Sequence, residues 1–73
     1  MPKLPRVTPR KFIAALLRQG FYIDRQKGSH VMIRHRDKRQ AVIPRHAQDL
    51  PPGTLKGILD DLEISIEELI ELL

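Results

Sequence analysis

One histidine near the middle of the chain stands among residues that attract phosphate. His30 follows Gly28 and Ser29, and the basic residues nearest to it in sequence are Arg25, Lys27, Arg34, Arg36, Lys38 and Arg39. Histidine has an unperturbed pKa of about 6.5, which permits proton transfer near neutral pH. On a phosphate-binding surface, a neutral imidazole could take the proton of a ribose 2′-hydroxyl and so cleave RNA without a metal. The alternative is a histidine at a hairpin edge with a local hydrogen bond.

The other two histidines are weaker candidates. Strand alternation turns His35 away from His30, so these two are not expected to form an acid–base pair on one strand. His46 follows the third predicted strand, where it could contact phosphate, act as a second proton carrier, or serve only the structure. Three scattered histidines, with no cysteine and no His-x-x-x-His spacing, predict neither a metal site nor a cofactor.

The charge of the chain is divided between its two parts. Residues 1–48 hold 12 of the 13 lysine and arginine residues and only two acids, a net charge of +10. Residues 49–73 hold Lys56 and seven acids, a net charge of −6. Such asymmetry predicts a polyanionic partner for the basic part. The acidic part is a solvated helical face or a surface for another protein, and the alternative for the whole is scattered, solvated charge.

Basic side chains outnumber aromatic rings, which favours contacts with phosphate and sugar over base stacking. Phe12, Phe21 and Tyr22 are the aromatic residues, and both phenylalanines occupy predicted core positions. The predicted RNA-binding residues are Lys27, Ser29, Arg34, Arg36, Lys38, Arg39 and Arg45. Each of the basic ones could instead be a charge that only aids solubility.

Size and composition predict one cytoplasmic domain. A chain of 73 residues has room for a single core, and the absence of cysteine suits a reducing compartment. No apolar run approaches the length of a membrane span, and the basic N-terminus lacks the apolar segment of a signal peptide. We therefore expect a soluble protein without a membrane partner.

The order of predicted elements is α-β-β-β-α-α. A flexible basic arm (1–8) precedes a single domain (9–73) that contains a helix (about 9–19), three antiparallel strands (21–24, 30–34 and 40–43), a second helix (about 53–62) and a short third helix (65–73). Thr8 and Gly20 are predicted to bound the first helix. Ser65 and Glu68 form the capping box of the third.

Alternation within the strands predicts one buried and one open sheet face. Phe21, Ile23, Val31 and Ile33 are expected to face the helices, which pack together on one side of the sheet in two layers. His30 and the outward residues of its strand then lie on the open face. The fold class is therefore α+β.

Several short segments follow one another in a specific order. They are Arg25-Gln26-Lys27-Gly28-Ser29-His30, Arg34-His35, Val42-Ile43-Pro44 and Leu50-Pro51-Pro52-Gly53-Thr54-Leu55 with Ile58-Leu59. Together they resemble the HicA (YcfA-like) family of toxin ribonucleases over roughly residues 9–64. The chain departs from many members at Val31-Met32-Ile33, where they have a second histidine or an aromatic residue.

The resemblance implies a double-stranded-RNA-binding-like (dsRBD-like) fold, here with a short extra C-terminal helix. It also implies metal-independent cleavage of messenger RNA by a type II toxin, with the family's catalytic histidine at His30. A HicB-type antitoxin would cover the active face. The acidic last helix extends beyond the usual end of the family and could add antitoxin contacts or contacts within a homo-oligomer. Two other functions fit the same charges: a non-catalytic double-stranded-RNA-binding module and a docking surface for an acidic protein.

Overall fold

The chain folds into a helix, three antiparallel strands and two further helices in the computed structural model, which describes residues 3–46 and 48–73. The elements are α1 (Pro9–Arg18), β1 (Tyr22–Lys27), β2 (His30–Arg34), β3 (Gln40–Pro44), α2 (Pro52–Leu62) and α3 (Ile66–Leu72). The strands form one sheet in the order β1-β2-β3. The predicted α+β fold class and order of elements are confirmed.

The predicted helix ends are also confirmed. The Thr8 Oγ1 atom accepts a hydrogen bond from the Lys11 backbone N–H at 3.2 Å. Gly20, just beyond α1, has a φ of +91°. At α3, the Ser65 hydroxyl accepts from the Glu68 N–H and the Glu68 carboxylate accepts from the Ser65 N–H, both at 3.1 Å. These local bonds satisfy N–H groups that a helix start leaves without partners.

One face of the sheet and the inner faces of the helices form the core. Strands β2 and β3 contribute alternating residues, and all three helices contribute apolar side chains to the same buried cluster. The fully buried large side chains include Phe12, Leu16, Ile33, Ile43, Leu55, Leu59, Leu62 and Leu69. The helices therefore cover one side of the sheet and leave the other open, as two-layer packing predicts.

The segment before α1 is attached to the core near its end. Val7 is 2% exposed, and its carbonyl accepts a hydrogen bond from the Leu50 N–H at 2.9 Å. Leu4 packs against the same cluster. The predicted flexible arm (1–8) therefore does not extend to Val7, because a tertiary contact with the distant Leu50 fixes it. Flexibility of the earlier residues stays a prediction, and Met1 and Pro2 lie outside the described residues.

Strand β1 departs from the predicted alternation. Phe21 is buried, but Ile23 is 44% exposed, and every residue of β1 is exposed. The pairing with β2 shifts between Ile23 and Arg25, which makes Asp24 the extra residue of a β-bulge. The predicted burial of Ile23 is wrong because β1 is an edge strand that bends at this bulge.

Substitution of a core leucine tests the packing. Leu59 is 0% exposed on α2, and Leu59→Ala should lower the free energy of unfolding by about 2–5 kcal/mol. A core of this size rarely supplies more than about 3–5 kcal/mol, so much of the variant should be unfolded. Urea denaturation followed by circular dichroism measures this loss. Leu17→Ala, at a leucine that is 44% exposed, is the control, and equal midpoints for the two variants would contradict the described core.

Candidate functional site

The open face of the sheet carries His30. Directly paired residues of antiparallel strands point to the same face. The register therefore gives this face three rows, starting at the hairpin end: Lys27, His30 and Pro44; Arg25, Met32 and Val42; Tyr22, Arg34 and Gln40. His30 is exposed, whereas Val31 beside it is 1% exposed. The prediction that the imidazole points away from the helices is confirmed.

A shallow cavity of about 380 Å³ surrounds the His30 side chain. Its other lining residues are Arg25, Lys27, Met32 and Val42. Two cationic groups thus stand beside the imidazole over an apolar floor. Within residues 3–46 and 48–73, the hydrogen bonds and ion pairs of histidine side chains all belong to His35. The His30 imidazole therefore has no hydrogen-bond partner in the described part of the chain, which disfavours a purely structural role.

The bulge at Asp24 brings Arg25 and Lys27 to the open face. Strict alternation from Phe21 would turn both of these basic residues toward the helices. Arg25 is missing from the predicted RNA-binding residues, although it lines the His30 cavity. The signal that could have found it is the two-residue turn at 28–29. Counting back from this turn pairs residue 27 with residue 30 and residue 25 with residue 32, as observed.

Arg34 lies on the same face and, like Arg25, is paired with the Asp24 carboxylate. Its Nε atom is buried without a hydrogen-bond partner among the described residues, and it lies 3.5 Å from Asp24 Oδ2. One of its terminal nitrogens lies 3.9 Å from Met32 Sδ, so the guanidinium points toward the row next to His30. Partly exposed ion pairs of this kind contribute at most about 1 kcal/mol. A phosphate could therefore displace the Asp24 carboxylate.

Arg39 has a structural position at the other end of the sheet. Its Nε donates to Asp37 Oδ2 at 2.8 Å, its Nη1 donates to the Leu62 carbonyl at 2.9 Å, and its guanidinium lies 4.9 Å from the Phe21 ring centre. Desolvation raises the pKa of the Asp37 carboxyl, but the hydrogen bonds from the Arg39 backbone and side chain, together with the charge of Arg39, outweigh it and lower that pKa overall. The structure does not bring Arg39 together with His30.

The turn between β2 and β3 contains two further predicted RNA-binding residues at this end of the sheet. Arg36 and Lys38 are exposed there, and Lys38 lines a cavity with Asp61 and Glu63. The start and end of β2 are about 14 Å apart at 3.4 Å per residue. These two cations are thus far from His30, and their RNA binding stays a prediction.

His35 faces the core side of the sheet, as predicted. Its ring meets the Phe21 ring edge-on at 4.8 Å between centres. Its Nδ1 atom accepts a hydrogen bond from the Asp37 backbone N–H at 3.2 Å. A Cβ atom on Gly20 would lie 3.2 Å from His35 Nε2, at a φ that favours glycine. His35 therefore contributes to packing and is separated from the open face.

Arg45 and His46 lie on the other side of the hairpin tip from the His30 cavity. They line a cleft of about 670 Å³ together with Ser29 and four residues of α1, β1 and the turn: Thr8, Arg10, Gln26 and Gly28. The Arg45 backbone N–H donates to the Ser29 carbonyl. Because His46 does not line the His30 cavity, its role as a second proton carrier stays a prediction without support from this geometry.

Two further observations concern metals and membranes. Within residues 3–46 and 48–73, no three histidine, aspartate or glutamate side chains come close enough together to hold a metal ion. Across the same residues, each helix is too short or too polar to cross a bilayer.

Comparison with known proteins gives a family match. The family model described as "HicA toxin of bacterial toxin-antitoxin" matches residues 9–64 of the 73-residue chain. This segment begins with α1 and extends just beyond α2, so it contains the whole sheet and His30. No curated protein matches the chain.

Proposed function

Because the chain belongs to the HicA toxin family of bacterial toxin–antitoxin systems, we propose that it is a toxin endoribonuclease whose single catalytic histidine is His30. Membership gives the chain a toxin role and an antitoxin partner. The observation that carries the proposal is the exposed His30 imidazole, free of protein hydrogen bonds in the described residues and flanked by Arg25 and Lys27. The proposed substrate is messenger RNA in the cytoplasm.

The proposed reaction is a transesterification within one nucleotide. The neutral His30 imidazole takes the proton of the ribose 2′-hydroxyl, and the 2′-oxygen forms a bond to the adjacent phosphorus. The bond from phosphorus to the 5′-oxygen of the next nucleotide breaks and that oxygen takes up a proton, while the His30 imidazolium releases the proton that it took, so no net proton is gained or lost. The products are a 2′,3′-cyclic phosphate and a free 5′-hydroxyl. Lys27 and Arg25 lie where they can stabilise the charge that develops on the phosphoryl oxygens.

The antitoxin is proposed to be of the HicB type and to bind the open sheet face. A protein that covers the three outward rows would bury His30 and exclude RNA in one step. The exposed apolar residues of this face, Tyr22 and Val42, give such a partner surface to bury. Association of the toxin with itself through the acidic helix α3 stays a prediction.

A non-catalytic RNA-binding module is the alternative function. It would use the same fold and the same cations, and it would bind RNA with a steep dependence on salt but never cut it. The free imidazole next to two cations favours catalysis, because an RNA-binding module needs no unpaired histidine at that position.

Incubation of the full chain with labelled RNA in excess EDTA tests the function. We expect cut products at the rate measured without EDTA, because the proposed proton transfer and charge stabilisation use only side chains. A retained complex without products at any protein concentration would indicate the RNA-binding module. Neither products nor complex would indicate a surface that docks an acidic protein. Cleavage that stops in EDTA and returns with Mg²⁺ would contradict the proposed mechanism.

A further inference from the structure

A second cleft, outside the His30 cavity, is basic. This cleft is bordered by the start of α1, the tip of the β1–β2 hairpin and the segment after β3. Its charged and titratable lining residues are Arg10, Arg45 and His46, and no acid lines it. Its volume of about 670 Å³ falls in the range of ligand-binding clefts. We propose that this cleft binds the phosphates of the RNA strand on one side of the cut.

The two arginines of the cleft are available to a ligand. The ion pairs found within residues 3–46 and 48–73 use neither Arg10 nor Arg45. Both residues are exposed. A guanidinium presents a planar fork of donors that matches two phosphate oxygens at once. Gln26 and Ser29, two neutral polar residues, line the same cleft.

The cleft and the His30 cavity share the hairpin tip as a common wall. Ser29 lines the cleft, and His30, the next residue, lines the cavity. Arg45 directly follows Pro44, the cross-strand partner of His30, and is hydrogen-bonded to the Ser29 carbonyl. Consecutive Cα atoms are about 3.8 Å apart. A single RNA strand can therefore pass over the tip from one site to the other.

A guanidinium binds both phosphate and carboxylate. The continuity of the cleft with the His30 cavity favours the phosphates of RNA. An acidic peptide could also occupy the cleft, but every nucleotide of an RNA strand carries a phosphate, so a strand that fills one site necessarily brings charge to the other. The inference rests on the proposal that RNA is the substrate. It adds that recognition extends beyond the nucleotide that is cut, so longer RNA should bind more tightly than a dinucleotide.

Removal of the two cleft charges tests the inference. In a full chain that also carries His30→Ala, we expect Arg10→Gln with Arg45→Gln to weaken binding of a single-stranded RNA about tenfold or more. The slope of log affinity against log salt should fall by about 1.4, since each single-strand phosphate contact contributes about 0.7. The control is Arg6→Gln with Lys11→Gln, which removes the same charge from exposed residues that do not line the cleft. Circular dichroism verifies that both variants are folded.

The outcomes separate this inference from the proposed function. If the cleft variant loses markedly more RNA affinity and more salt dependence than the control, the result supports phosphate binding in the cleft, even if the wild-type chain cuts no RNA. Equal losses in the two variants overturn it, even if the wild-type chain cuts RNA through His30. If the chain that carries only His30→Ala binds no RNA, both the proposed role of the cleft and the proposed function are overturned. A cleft variant that loses affinity only for an acidic peptide, and not for RNA, also overturns the inference.

Discussion

Replacing His30 by alanine should abolish RNA cleavage while leaving the fold and the RNA affinity nearly unchanged. General acid–base assistance by a positioned side chain contributes about 10²–10⁴-fold to a rate, and no second histidine lines the cavity in the described residues. The fold should persist because the imidazole is exposed and makes no hydrogen bond there. The affinity should persist because Lys27 and the neighbouring cations remain.

Cleavage of labelled RNA with enzyme in excess measures the chemical step directly. His46→Ala is the matched control, since it removes an imidazole from an exposed position in the adjacent cleft. A small loss is expected there, against a loss of at least about 10²-fold for His30→Ala. His35→Ala is unsuitable because His35 packs on Phe21. Cleavage by the His30→Ala variant at the wild-type rate would rule out the assigned general base.

Local signals account for the part of the fold that the sequence predicts. The caps at Thr8 and Ser65 and the positive φ at Gly20 depend on residues only a few positions apart. Strand alternation depends on neighbours and correctly places His30 outward and Val31 inward. Each of these features depends on residues within one element, so it can be predicted from the sequence of that element.

Features that depend on contacts between elements cannot be predicted from one element at a time. Val7 is fixed by Leu50, and the bulge at Asp24 follows from how the edge strand meets β2. Arg39 does not reach the His30 cavity, because its side chain donates a hydrogen bond to the Leu62 carbonyl at the end of α2. None of these partners is a neighbour in sequence. The alternation of β1 alone therefore predicts a buried Ile23 and the wrong face of the sheet for Arg25.

The basic residues that cluster in the sequence separate into three places in the structure. Lys27 and Arg25 stand beside His30, Arg45 joins Arg10 in the cleft, and Lys38 and Arg39 lie at the far end of the sheet. The charge of the chain therefore predicts only a class of partner, a polyanion, and not which cations would meet it. The register and the hairpin tip determine which cations can act together on one phosphate group.

Substitution of the 2′-hydroxyl by hydrogen at the cut site should block cleavage completely. In the proposed reaction that oxygen is the nucleophile, so its removal leaves His30 without a proton to take and phosphorus without an attacking group. Binding should be almost unchanged, because the proposed contacts of Lys27 and Arg25 are with phosphate rather than with the sugar hydroxyl. Matched oligonucleotides that differ by one oxygen atom measure both quantities, cleavage by gel separation and binding by titration of the His30→Ala variant.

The position of the deoxynucleotide supplies the control for this experiment. A 2′-deoxy substitution one nucleotide away from the cut should leave cleavage close to the rate of the all-ribose strand, because the neighbouring hydroxyl does not attack. The all-ribose strand should yield a 2′,3′-cyclic phosphate, which mass spectrometry separates from a linear phosphate by the mass of one water. A product cut at the deoxynucleotide would show that water is the nucleophile. His30 would then have to activate that water, and the phosphate would have to lie far enough from the imidazole to admit it.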